Sequence, residues 1–166
     1  TQSFRSYFTD KQRGAVLRLS KDGLVPISDH GMKDWFADNL KSSSGRLTGS
    51  YNVKKDSYNI TLRNTDDLFE NLSPNNQVTV SFGEKTNGWT SFKSFIQNGG
   101  LSLNNNYFTF KNGEMYQHYL GDIATFYGQK SIPYVDVLLN QSPGIVKSFG
   151  SFNYEGSQAK ITQNLD

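Results

Sequence analysis

Between Val78 and Phe95 the chain reads VTVSFGEKTNGWTSFKSF, and this pattern restricts the fold more than any other feature. Val78, Val80 and Phe82 alternate with small polar residues, Asn87-Gly88 marks a turn, and Trp89, Ser91, Lys93, Phe92 and Phe95 then follow on the two faces of a returning strand. Side chains of a strand alternate between two faces, so a period of two on both sides of Asn-Gly predicts an antiparallel hairpin. A helix would need a period near 3.6, which this segment lacks.

The same pattern recurs along the chain. Ala15, Leu17 and Leu19 alternate with Val16 and Arg18, Lys21-Asp22-Gly23 supplies a turn, and Leu24, Val25 and Ile27 return, with Pro26 suited to an edge or strand end. Leu47, Gly49 and Tyr51 lead through VKKDS to Tyr58, Ile60 and Leu62, which alternate with Asn59, Thr61 and Arg63. Leu103, Tyr107, Phe108 and Phe110 run to Lys111-Asn112-Gly113 and back through Met115, Tyr116 and Tyr119. A fifth unit is expected in the tail, with Val135, Val137 and Leu139 before an Asn140-to-Gly144 turn and Ile145, Val146, Phe149, Phe152 and Tyr154 after it.

One helix is expected near residues 29–41, in HGMKDWFADNLK. Ser28 or Asp29 is placed to cap it, and Met32, Trp35, Phe36 and Leu40 fall on one face. The polar run KSSSG after it makes residues 41–46 the candidate hinge. The predicted fold is therefore all-β, mainly antiparallel hairpins in a propeller-blade-like or sandwich arrangement, with one short amphipathic helix. Residues 1–166 are read as a single β-rich unit, and the start at Thr1 suggests a fragment of a longer chain.

Composition agrees and excludes several function classes. Aromatics reach 14% although hydrophobic residues total only 35%, a balance that favours strands. Seventeen basic and fifteen acidic side chains leave a formal charge of +2, too little for a dedicated nucleic-acid binder. With no cysteine, disulfide scaffolds and thiolate zinc sites are out, which fits assembly in a reducing cytoplasm. No apolar run approaches the roughly 18 residues of a membrane-spanning helix.

Candidate chemistry is sparse. Asp66, Asp67 and Glu70 lie in a polar stretch and read as a solvated acidic loop, or as a weak cation site without the cadence of a calcium loop. His30 and His118 are the two histidines, too few for a His-rich metal site, and both read as structural or surface residues. No Gly-x-Ser-x-Gly elbow or phosphate-cradling glycine loop occurs. We therefore expect no enzyme activity and no cofactor. Trp35 and Phe36 are the expected helix anchor, and Trp89, Phe92 and Phe95 the hairpin core, with Phe82, Phe108 and Phe110 also assigned inside. Tyr51, Tyr58, Tyr107, Tyr116 and Tyr127 are the candidate interface aromatics, because a phenol offers an apolar body with a polar rim.

Four segments are familiar as wholes: FTDKQRGAVLRLSKDGLVPISDHGMKDWF, LTGSYNVKKDSYNITL, VSFGEKTNGWTSFKSFIQNGGLSLNNNYFTFKNGEMYQH and FYGQKSIPYVDVLLNQSPGIVKSFGSFNYEGSQ. They resemble segments of large virion structural proteins of tailed bacteriophages, notably marine phages and the crAss-like phages of gut bacteria. The resemblance covers most of the chain and carries no catalytic residues. It implies a structural part of a phage tail, in a hub or tail tip, made in the bacterial cytoplasm and held in a ring by contacts with copies of itself and other virion proteins. The alternatives are a receptor- or glycan-binding tail module, and a glycan or peptidoglycan hydrolase that would need two converging carboxylates.

Overall fold

The computed structural model describes residues 5–43, 45–63, 77–136, 144–148 and 150–151. By internal packing the chain divides into two units, Thr1–Pro133 and Tyr134–Asp166. The first is built mostly of antiparallel strands, with a single α-helix among the described residues.

Ten strands of the first unit form three consecutive meanders. Strands β1 (Ser6–Asp10), β2 (Ala15–Ser20) and β3 (Gly23–Pro26) make the first sheet; β4 (Thr48–Asn52), β5 (Ser57–Arg63), β6 (Gln77–Gly83) and β7 (Gly88–Lys93) the second; and β8 (Gly99–Leu103), β9 (Asn106–Lys111) and β10 (Glu114–Gln117) the third. In every sheet the spatial order is the chain order, and all pairs are antiparallel. A two-stranded ribbon, β11 (Thr125–Phe126) with β12 (Gln129–Lys130), follows. The helix α1 spans Lys33–Ser42.

The second sheet has two chemically different faces, and this decides the packing. On one face the register lines up Gly49, Ile60, Val80 and Phe92, and beside them Tyr51, Tyr58, Phe82 and Trp89. Against this apolar face pack Val16, Ile27, Phe36 and Leu40 from the first sheet, the following 3₁₀ turn and α1, all fully buried. On the other face the rows are Thr48, Thr61, Thr79 and Lys93, then Ser50, Asn59, Ser81 and Ser91. The third sheet covers part of this polar face: Tyr107 of β9 reaches Ser50 at 2.6 Å and Asn59 at 3.1 Å. Strand β8 lies along β4, where Ser102 Oγ accepts from the Val53 amide at 3.1 Å and donates to the Tyr51 carbonyl at 2.8 Å. Central strand β5 is thus covered on both sides and buried from Ser57 to Leu62.

Turn chemistry closes the hairpins. Asn104 and Asn105, Asn112 and Gly113, and Tyr127 and Gly128 are consecutive pairs with positive φ. Two such residues make the turn whose twist matches that of antiparallel strands.

Several expectations are corrected. The helix begins at Lys33, with Met32 at its N-cap position and no side-chain cap; Ser28 and Asp29 belong to the preceding 3₁₀ turn, Ile27–Asp29. Apart from these corrections, Ser43, within residues 41–46, is buried and donates to the Arg63 carbonyl at 3.0 Å. Strand β1 and the ribbon β11–β12 are additional to the hairpins that the sequence predicts. In the second unit, Ile145 and Val146 lie outside any strand. Val137, Leu139, Phe149, Phe152 and Tyr154, like Asp66, Asp67 and Glu70, fall outside the described residues.

Candidate interaction surfaces

The two outer sheets each present an apolar outward face. On the first sheet the register places Phe8 opposite Leu17, Leu17 opposite Pro26, and Leu19 opposite Leu24. Phe8, Leu19 and Leu24 are 40%, 46% and 55% exposed. The inward face of the same sheet carries Tyr7, Val16 and Arg18. Tyr7 stacks on Tyr58 at 4.2 Å between ring centroids, and Arg18 donates to Glu84 at 2.8 Å. The more apolar side of β2 is therefore the side turned away from the core.

The third sheet repeats the arrangement. Leu101 pairs with Phe108 and Phe110 with Met115, so these four share the outward face with Leu103. Leu101, Leu103 and Met115 are well exposed. Clustered apolar residues on a pleated face, exposed together, are the usual signature of a surface that another element covers.

Beneath the third sheet lies a buried polar layer. Ser50 Oγ donates to Gln97 Oε1 at 2.8 Å, Tyr107 OH donates to the same oxygen at 3.1 Å, and Ser81 Oγ donates to Asn59 Oδ1 at 2.7 Å. Thr79 Oγ1 donates to the Phe95 carbonyl at 2.6 Å and lies 2.7 Å from Thr61 Oγ1. Burial pushes the Tyr107 phenol up to about 12, so it stays a hydrogen-bond donor at neutral pH. A buried polar group without partners costs free energy, so a sheet face of Ser, Thr and Asn requires a lid with hydroxyls of its own.

Further along, His118 is buried among Phe95, Tyr107, Phe126 and Tyr127, with Nε2 2.7 Å from Thr109 Oγ1. Burial, and then the charge of Lys93, lower its pKa to about 4, which keeps the ring neutral. On the opposite side of the second sheet, Glu84 is an almost fully buried carboxylate held by Arg18, Arg5 and the Tyr7 hydroxyl. Its acceptor capacity is committed to structure.

The structure buries some of the sequence candidates and exposes others. Phe36 and Phe95 are buried, while Trp35 and Trp89 are half-buried; Trp89 Nε1 donates to the Ile27 carbonyl at 2.9 Å. Phe92 is corrected: it is 55% exposed on edge strand β7, its ring 5.6 Å from that of Trp35. Tyr107 and Tyr58 are corrected in the other direction, being 1% and 6% exposed. Tyr58 sits on the doubly covered central strand. Tyr107 faces inward because its hydroxyl satisfies the polar layer, which phenylalanine cannot do, so Phe108 and Phe110 take the outward positions on β9. Tyr51, Tyr116 and Tyr127 are half-buried. Tyr51 donates to Asp56, Tyr116 packs on Tyr127 at 4.7 Å, and Tyr127 lies under Lys111 at 5.3 Å. His30 is tied to the Asn87 carbonyl through Nδ1 at 2.8 Å.

The outward faces were written in the sequence as alternation, but alternation does not say which face turns inward. Among the described residues no group of three or more His, Cys, Asp or Glu could hold a metal ion. Among them, too, no helix is long and apolar enough to cross a membrane. A scan against protein-family models finds no match for this chain, and a search of curated proteins finds none either.

Proposed function

We propose that this chain is a non-enzymatic structural part of a phage virion, a segment of the tail hub or tail tip that acts through contacts with copies of itself and other virion proteins. The observation that carries the reading is the pair of apolar outward faces, Phe8, Leu17, Leu19 and Leu24 on one side and Leu101, Leu103, Phe108, Phe110 and Met115 on the other. Three antiparallel meanders, packed face to face in chain order and apolar at both ends, have the form of an arc of blades that neighbouring β-sheets continue. Such a stack leaves its ends unfinished until a neighbour supplies the next sheet.

The resemblance of the four long segments to tail proteins supports the same reading. Mass spectrometry of purified particles tests it. The expected result is peptides from this chain at a copy number that is a fixed multiple of the tail symmetry. Particles lacking them would overturn the proposal.

A further inference from the structure

The polar face of the second sheet is only partly covered by the third, and the remainder forms an open groove of about 510 Å³. Ser57, Ser81 and Ser91 lie along it, Thr86 and Thr90 flank them, and the Tyr119 ring stands at one end. Three lysines line it: Lys55 after β4, Lys85 in the β6–β7 turn and Lys93 on β7. Lys55 and Lys85 are exposed and Lys93 is half-buried. None of the three makes an ion pair among the described residues. Asp56 is the one carboxylate in the lining, and it is already engaged by the Tyr51 hydroxyl and lies 3.7 Å from Arg5.

From this arrangement we propose that the groove binds an acidic saccharide, with Lys93 and Lys55 on its carboxylate and the hydroxyl-lined floor along its ring. The inference goes beyond the assembly reading and stands without it. Three unneutralised cations over one pre-engaged carboxylate make a site of positive potential, and a groove of this size accommodates a small ligand. Burial, and then the neighbouring Lys55, lower the pKa of Lys93, so an anion beside it would offset the unfavourable surroundings of that charge. The remaining lining selects among anions. Its hydroxyls are spread along a sheet; those of Ser81, Thr86 and Thr90 donate to protein acceptors and keep lone pairs that can accept from a polyhydroxylated ring, and the lining includes no arginine, whose fork phosphate sites favour. The Asn52 side chain holds the Tyr119 hydroxyl, and Lys54 and Lys55 lie 5.3 and 5.5 Å from its ring centroid, which fixes the end wall.

Titration calorimetry of the 166-residue chain with tri-galacturonate, with neutral galactotriose and with inorganic phosphate tests this. The proposal expects tri-galacturonate to bind, galactotriose to bind at least about tenfold more weakly, and Lys93→Gln and Lys55→Gln each to weaken tri-galacturonate about tenfold. Lys33→Gln, on helix α1, is expected to leave binding unchanged. Circular dichroism confirms that each variant is folded, and Lys55→Gln alters an exposed side chain, so the test survives if Lys93→Gln misfolds. Equal affinity for galactotriose, binding of phosphate as tight as that of tri-galacturonate, indifference to both groove substitutions, or no binding of tri-galacturonate would each overturn the assignment.

Discussion

Tyr107 shows how one atom decides a side chain's address. Its hydroxyl is shared among Ser50, Asn59 and Gln97 inside a layer where each polar group needs a partner. Tyr107→Phe deletes that oxygen without changing the ring, and should destabilise the fold by about 1–3 kcal/mol in urea denaturation because it strands a buried amide donor. Gly14 makes the opposite kind of demand. It has φ +68°, and an added Cβ would sit 2.6 Å from the Ala37 Cα of helix α1. Gly14→Ala should therefore cost at least about 2 kcal/mol, combining left-handed backbone strain with a backbone clash that cannot relax by rotation of a side chain. His118 couples the third sheet to pH. Its folded pKa of about 4 lies below the ordinary 6.5, so the unfolded chain takes up a proton first as the pH falls. The stability that the neutral ring contributes is complete above about pH 6.5 and is lost progressively between there and pH 4. The full effect is of the order of 3 kcal/mol, since each tenfold difference in proton affinity between the folded and unfolded states is worth about 1.4 kcal/mol. His118→Gln keeps a group able to hydrogen-bond Thr109 while removing the titration. It should flatten the fall in unfolding free energy across that window relative to wild type, and parallel curves would refute the role.

At the scale of elements, the sheets differ in what each face is for. The inward face of β8–β10 satisfies the polar layer, and its outward face leaves apolar side chains in solvent. Leu103→Lys with Met115→Lys should leave the unfolding midpoint of the isolated chain within about 2 °C, since both side chains are some 60% exposed. The same pair should move the chain toward monomer in sedimentation velocity if that face is an assembly surface. Helix α1 has a different task, which is to cover the apolar face of the second sheet with Phe36 and Leu40. It manages this without a side-chain N-cap because tertiary burial, more than local propensity, stabilises a helix of ten residues.

At the scale of the whole molecule, the first of the two internally packed units ends at Pro133. A chain truncated after Pro133 should still unfold in one cooperative transition, measured by urea denaturation. Much of this architecture was legible in the residues. The Asn-Gly turns, the alternation and the Met32-to-Leu40 stripe specified antiparallel hairpins and one helix, because turn geometry and side-chain period are local properties that a short segment expresses alone. The choice of inward face was not legible. Alternation defines two faces of a strand, but whether Tyr107 or Phe108 points to the core depends on what the opposing sheet presents, and the residues that meet Tyr107 there, Ser50 and Asn59, lie 57 and 48 positions away in the chain. The same holds for the groove, whose lysines come from three separate segments. By itself the sequence determined the hairpins β2–β3, β4–β5, β6–β7 and β9–β10 and the one helix. Only the tertiary structure decided that a polar sheet face would be buried, that apolar faces would be left outside, and that Lys55, Lys85 and Lys93 would line one groove, because those outcomes depend on satisfying hydrogen bonds and placing charges between sheets, not within them.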